Sequence, residues 1–524
     1  MFKFKPTLTA LCAAATVAAS LMAAPLAAHA ADTRLARVVV QYRAGNSAAV
    51  QAAVARLGGR MVVDLDQVNA MAVMLPRGAV AALKAARNVD SVQDDVMRSI
   101  QGTRSAKRLH LADSTQVVPY GITMVQADQV RGLPAWRPTV CIVDSGINAT
   151  HEDLAGNALS GANFTSSGTW DSDENSHGTH VSGTIAALNN DLGVVGVSGR
   201  KILKLRISKV FDAAGSSPSS VIAKGMLGCL AGRANVVSMS LGGDSASPIE
   251  QKVVDLLTSR GMLLIAAAGN AGDTTISYPA GFESVMSVAA VDDNMDWATF
   301  SQYNDDVEIA GPGVDVLSTV PQGSQISTTT TVGANSYDTL QMEGSPLGNV
   351  TAPLADFGFG DTPVAGSMTG KVCLISRGNI SFGDKVANCE ASGGVGAIVF
   401  NNTDGPLNGT LGDIVTTIPS VGALQADGAT MLTQLGQSAT LTIAPNDDKY
   451  AYYSGTSMAT PHVAAVAGLV WAYYPNCSNE QIRSALKASA LDVGDAGYDT
   501  KTGYGIVQAK AAFNYLASHS CSVN

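Results

Sequence analysis

Five short stretches, TVCIVDSG, ILKLRIS, ANVVSMSLGG, MLLIAAAGN and SVMSVAAVD, are almost continuously apolar and close on polar residues or glycine. A strand with one wet face alternates apolar and polar residues; a strand apolar at nearly every position is covered on both sides. Helical stretches separate these runs, so the pattern predicts an α/β fold in which a parallel sheet lies between layers of helices. Ligand crevices of such sheets open beyond the carboxyl ends of the strands. Asp144, Ser240 and Asn270 stand at three of those ends.

The pattern does not cover the whole chain, and 524 residues are enough for several units. Residues 36–98 read as a small α/β unit: strand ARVVVQY, helix SAAVQAAVARLGG, a strand pair in RMVVDLDQVNAMAVMLP, helix GAVAALKAARN and a last strand, VDSVQDDVM. The following SIQGTRSAKRLHLADST is polar, basic and aperiodic, an expected exposed linker open to proteolysis. Between about Gln322 and Lys449 the texture turns to Thr, Gly, Asn and short strands (KVCLISRG, AIVFNN, ATLTI). The alternation resumes at YAYYSGTSMATPHVAAVAGLVWAYYP, so 322–449 reads as a domain inserted into a larger one.

Lys3 and Lys5 precede an alanine-rich apolar run, and Ala28-His29-Ala30 forms a small-x-small cleavage pattern. Residues 1–30 are therefore expected to be a secretory signal rather than a membrane anchor, and no later segment is apolar enough to span a bilayer. With Cys12 lost in the signal, six cysteines remain: Cys141, Cys229, Cys373, Cys389, Cys477 and Cys521. An even number in an exported chain predicts disulfides, with about 15 possible connectivities. The lack of a C-x-x-C pair argues against a zinc cluster. The net charge of -10 divides unevenly. Residues 31–111 carry 12 basic and 6 acidic side chains, whereas residues 112–524 hold 19 basic and 37 acidic ones. That division argues against nucleic acid as a partner and predicts attraction between the two parts.

Three stretches carry candidate chemistry: VCIVDSGINATHEDL around Asp144, NSHGTHVSGTIAAL around His177 and SGTSMATPHVAA around Ser457. Singly, each has an ordinary reading as a turn aspartate, a capping histidine or a helix N-cap. Together, in the order Asp, His, Ser, they resemble the subtilisin-like serine proteases over about 116–321 and 450–516. The resemblance implies the three-layer subtilisin-like fold, with Ser457 as nucleophile at a helix start, where free N–H groups favour negative charge. It makes His177 the base within reach of the Ser457 oxygen, and Asp144 the group that orients the imidazole. Asn270, in IAAAGN, resembles the oxyanion-hole asparagine. His462 lies five residues beyond Ser457 on the same helix, points away from its hydroxyl and is expected to pack. Pro461 is expected to be tolerated as part of the helix start. Ser454, Thr456 and Thr460 read as turn and cap hydroxyls. His177 and His180 form an H-x-x-H that could suit a metal, but a glycine rather than a glutamate follows His177. The resemblance makes His180 a packed neighbour.

Ser240, Leu241 and Gly242 resemble the segment that pairs with an extended peptide. With Ala267, Ala268, Gly269 and the stretch from Ser277 to Ala280 they are implied to line the pocket for the residue before the cut. Those residues are small and uncharged, which predicts broad specificity leaning to large apolar side chains; Asp273 is the nearby acid that could change this. The resemblance also implies a structural calcium ion held by side-chain oxygens of Gln116, Asp153 and Asn190 and carbonyls of Leu188, Leu192 and Val194. Residues 31–113 resemble the family's propeptide, a ferredoxin-like unit that assists folding and then inhibits; self-cleavage is expected between about Leu111 and Thr115. The insert resembles a protease-associated domain, above all in GKVCLISRGNISFGDKVANCEASGGVGAIVFNN. Residues 114–321 and 450–524 are then the two parts of the catalytic domain. Cys373 and Cys389 fall within the insert and are expected to pair, Cys477 and Cys521 to tie down the tail. Cys141 and Cys229 either pair or remain buried thiols. The reading that results is a secreted, calcium-stabilised, monomeric serine endopeptidase made as a self-processing zymogen, acting on proteins, with no nucleic-acid or membrane partner. A zinc hydrolase using H-x-x-H and an inert binding module on the same fold are the readings set against it.

Overall fold

A computed structural model describes residues 34–104, 115–405, 407 and 409–521. The expected signal and most of the expected cleavage window lie outside the described residues.

Seven parallel strands form the central sheet, in the spatial order Val307–Pro312, Val285–Val291, Leu263–Ala267, Val236–Met239, Thr139–Asp144, Lys204–Lys209, Leu159–Asn163. Side chains alternate faces along a strand, and both faces here are apolar. Val140 and Ile142 join a core with Val181, Ile185 and Val463, while Cys141 and Val143 join another with Ile222, Met226 and Val253. Helices His177–Ala186 and Thr456–Tyr473 supply the first layer, helices Ser219–Ala231 and Pro248–Ser259 the second. This is the three-layer α/β architecture expected from the sequence.

Helix Thr456–Tyr473 is buried from Thr456 through Ala472, which its run of Ala, Val and Gly permits. Pro461 sits beyond the first turn, so its place needs another reason than the free amides of a helix start. Its ring removes the N–H that Ser457 O would accept four residues earlier. The Ser240 hydroxyl donates to Ser457 O instead, at 2.8 Å.

The N-terminal unit is a four-stranded antiparallel sheet in the order Arg60–Leu65, Ala70–Pro76, Leu35–Tyr42, Val89–Asp94, with helices Ser47–Arg56 and Val80–Lys84. That is the ferredoxin-like order. Val39, Leu65, Ala70 and Ala72 of this sheet complete the second core beside Ile222 and Val253. Asp95 accepts hydrogen bonds from Ser220 N–H at 2.8 Å and the Ser219 hydroxyl at 3.0 Å, so the N-terminal unit caps a helix of the larger one.

Residues 99–115 were expected to form an exposed linker, and the structure corrects this over 99–104. Met97–Ile100 is a strand between Ser216–Pro218 and Leu241–Gly242, antiparallel to both, and Thr103–Arg104 pairs antiparallel with Tyr453 and Ser454. Segment 97–104 has no periodicity of its own because its extended form is imposed by partners along the groove.

The chain leaves the larger unit after strand Val316–Thr319 and returns at Tyr450–Ser454, and these two strands pair with each other. Between them lies a mixed eight-stranded sheet with helices Phe382–Ala391 and Gln425–Leu432 and two cores of its own. Disulfides join Cys141 to Cys229, Cys373 to Cys389 and Cys477 to Cys521. The first resolves the alternative left open for Cys141 and Cys229, tying the strand that ends at Asp144 to a covering helix.

Candidate active site

Asp144 is the last residue of strand Thr139–Asp144 and His177 the first of a buried helix; they are 0% and 2% exposed. The His177 Nδ1–H faces the carboxylate at 2.8 and 3.0 Å, and Ser145 N–H donates to Asp144 Oδ1 at 2.7 Å. A carboxylate held this way fixes the imidazole's rotation and tautomer, leaving Nε2 free to take a proton. His177 Nε2 is buried and has no hydrogen-bond partner.

Asp173, which the sequence reading passed over, holds this helix start. Its Oδ1 accepts from the Ser145 hydroxyl at 2.8 Å and Ser176 N–H at 2.9 Å; its Oδ2 accepts from Thr179 N–H at 2.8 Å. An acid four residues ahead of the histidine was the available signal, because carboxylates favour helix N-termini.

Ser457 is the second residue of its helix, following Gly455 at φ 150°. A Cβ on Gly455 would meet Gln101 O at 2.5 Å, so only glycine lets a chain pass this close. Gln101 does pass. Ser457 N–H donates to Gln101 O at 3.0 Å. Asn270 Oδ1 accepts from Thr456 N–H and the Thr456 hydroxyl, both at 2.9 Å, and a Cβ on Gly455 would lie 3.0 Å from Asn270 Nδ2. On the other side of the bond, a Cβ on Gly102 would lie 3.3 Å from His177 Nε2. The Gln101–Gly102 bond therefore lies between histidine and serine, upstream of the window expected from the sequence.

The serine and histidine were expected to be hydrogen-bonded, and in this state they are not. Ser457 Oγ donates to Ser240 O at 2.9 Å.

Among the residues expected to line the pocket, Leu241, Ala267 and Ala268 are buried, and Gly269 N–H donates to Thr456 Oγ1 at 3.2 Å. A Cβ on Gly242 would come 3.3 Å from Gln101 Nε2 and 2.2 Å from Ser277 Oγ. The Gln101 side chain thus runs past Gly242 toward a buried hydroxyl that has no hydrogen-bond partner. Asp273 is exposed and accepts Thr275 N–H at 2.9 Å.

His180 Nε2–H faces the carbonyls of Val316 and Ala451 at 3.0 and 3.1 Å, and its ring stacks on Tyr453. Burial lowers its pKa to about 3. A neutral ring whose Nε2 faces two carbonyls is a packed neighbour. His462 Nδ1–H donates to Met458 O at 2.8 Å, and burial lowers its pKa to about 4. It is no base for Ser457.

The candidate calcium residues converge as well. Leu188 O, Asn190 Oδ1 and Leu192 O lie 3.0, 3.1 and 2.8 Å from one atom, the Gln116 amide nitrogen. Asp153 Oδ2 accepts Val194 N–H at 2.8 Å, whereas Oδ1 is buried without a partner, and burial raises this carboxyl's pKa. Neutral oxygens gathered at one point and a buried carboxylate oxygen without a partner are the donor types that suit a hard cation such as calcium.

Residues 137–344 and 369–505 match the sequence profile of the Subtilase family. Subtilisin DY of Bacillus licheniformis is 41% identical over 218 residues, 40% of this chain and 78% of that protein. Subtilisin Savinase of Lederbergia lenta is 44% identical over 214 residues, with the same shares of each chain. The crystal structure of the psychrophilic subtilisin-like protease Apa1, from the Antarctic psychrotroph Pseudoalteromonas sp. AS-11, has a TM-score of 0.53 at 40% identity, covering 78% of this chain and 100% of that one.

Proposed function

The chain belongs to the subtilase family of serine endopeptidases, and from that premise we propose that it is a secreted, self-processing zymogen whose first cut falls at Gln101–Gly102. The observation that carries this is Gln101 O on the Ser457 N–H, with His177 Nε2 across the same bond. Ser457 leaves Ser240 O, passes its proton to His177 Nε2 and attacks the Gln101 carbonyl carbon. Charge develops on Gln101 O, between Ser457 N–H and Asn270 Nδ2, whose donors are fixed in advance. Asp144 stabilises the imidazolium, which then protonates the leaving Gly102 amine. Water repeats the sequence on the acyl-enzyme.

Residues 31–113 act as the propeptide in this reading, cut within the segment rather than at 111–115, and residues 1–30 direct export. The insert, 322–449, is assigned as a protease-associated domain on its sequence resemblance. Gln116, Asp153, Leu188, Asn190, Leu192 and Val194 would hold calcium, which serves the fold by neutralising Asp153 and joining the loop to the chain near residue 116. Protein substrates follow from the family. The side chain before the cut is read broadly, with large apolar groups set against Leu241, Ala267 and Ala268.

Mass spectrometry of the secreted protein beside Ser457→Ala tests the reading. The expected result is a wild-type fragment ending at Gln101 and an uncut alanine variant. A variant processed at the same bond would remove self-cleavage from the account.

A further inference from the structure

The strand that fills the cleft presents Arg98 as the fourth residue before the Gln101–Gly102 bond. Its side chain does not run into solvent. Arg98 and Glu250 side chains are both 0% exposed, and they meet as a fork: Nε lies 3.1 Å from each carboxylate oxygen and Nη2 lies 2.6 Å from Oε2. The remaining donors go to Ser245 O at 2.8 Å and Met97 O at 2.9 Å. A Cβ on Gly243 would come 3.0 Å from Nη1, so the pocket is shaped around the guanidinium.

Glu250 belongs to helix Pro248–Ser259 of the catalytic domain, whereas Arg98 belongs to the segment that processing removes. Strand Met97–Ile100 pairs with Ser216–Pro218 and Leu241–Gly242, the two edges between which any extended peptide would lie. The Arg98 pocket is therefore a pocket for substrate. Burial lifts the Glu250 pKa to about 7 even with Arg98 beside it. A buried carboxylate without that partner is costly to ionise, and an apolar side chain would bury it with nothing in return. Arginine answers with a planar fork and a fixed charge, lysine with a single point charge.

We propose that Glu250 is a specificity-determining residue: the mature enzyme selects arginine four residues before the cut, and Arg98 is the copy of that signal carried by its own precursor. The inference rests on the proteolytic reading of the cleft.

The test uses mature enzyme freed of residues 34–101 and peptides identical except for Arg, Lys, Leu or Ala at the fourth position before the cut. The expected kcat/KM for Arg exceeds that for Leu by about 30-fold or more, the scale on which unpairing a buried charge acts at interfaces. Lys should fall between them. In Glu250→Leu the Arg-to-Leu ratio should invert, and where folding of that variant fails, the wild-type profile decides alone. Equal rates for Arg and Leu with brisk cleavage of both overturn the inference and leave proteolysis standing, reducing the ion pair to a docking contact of the precursor. Absence of cleavage of every peptide overturns the proteolytic reading and this inference together.

Discussion

Asn270 has its oxygen committed to two hydrogen bonds from Thr456, while its Nδ2, like Gln101 O, lies beside Gly455, where the proposed reading needs an oxyanion donor. Such a donor acts more strongly on the tetrahedral state than on the bound peptide. Asn270→Ala should therefore lower kcat by roughly 10²–10³ with little change in KM; steady-state kinetics on a peptide substrate check this, and a loss confined to KM would remove the asparagine from the oxyanion site. At this scale the sequence was readable wherever a residue's chemistry is its motif. Asp144, His177, Ser457 and Asn270 stood out as types at strand ends and helix starts. Gln101 did not, because a glutamine in a polar linker becomes special only when the Ser457 N–H meets its carbonyl. Glu250 did not either. It reads as an ordinary acid in the first turn of a helix until Arg98, far away in sequence, is seen against it.

The helix that begins at His177 is short, so the way its N-terminus is held decides where the Nε2 of that first residue, the proposed base, points. Asp173 holds it through Ser145, Ser176 and Thr179 without touching substrate, a positioning role. Asp173→Ala should cost about 1–2 kcal/mol of stability, the usual worth of a strong helix cap. It should also lower kcat more than KM, since the peptide edges Ser216–Pro218 and Leu241–Gly242 lie on other elements; unchanged kcat in a destabilised variant would reduce Asp173 to a cap alone. The loop that follows this helix offers a second check. Calcium at 100 times its Kd should add about 2.7 kcal/mol, so a chelator should lower the thermal midpoint and added calcium restore it. Asp153→Ala should abolish that response; a chelator effect surviving in the variant would place the ion elsewhere. The sheet strands were legible because burial on both faces writes a continuous apolar run. The Pro461 position was misjudged because the compensating donor, Ser240, sits on a distant strand end.

For the molecule as a whole, composition indicated two mutually attractive parts but not where they meet. That address is written in contacts: four apolar side chains on Ile222 and Val253, Asp95 on a helix start, and Arg98 on Glu250. Three buried imidazoles couple the fold to pH, His151, His180 and His462, and the last two are the most strongly displaced. His180 faces Val316 O and Ala451 O, and so joins a catalytic helix to the strand pair from which the insert emerges; His462 is wholly buried within the central helix. Burial lowers their pKa values to about 3 and about 4, below the ordinary 6.5. The unfolded chain binds protons at these sites below about pH 6.5 while the folded chain does not, so stability is fully present above that pH and is lost as pH falls toward 4. Each histidine contributes on the order of 3 kcal/mol. Glu250, raised to about 7 in the precursor, acts in the opposite sense, because the folded state then holds its proton over a wider range. The measurement therefore belongs to mature, calcium-loaded, inactivated enzyme, where Arg98 and its strand no longer bury that carboxylate. Its unfolding free energy should drop steadily between about pH 6.5 and 4, and His462→Gln should make the slope shallower. A wild-type profile that stays flat across that interval would mean that one or both rings gain protons without unfolding, and that the packing around His180 and His462 yields to charge.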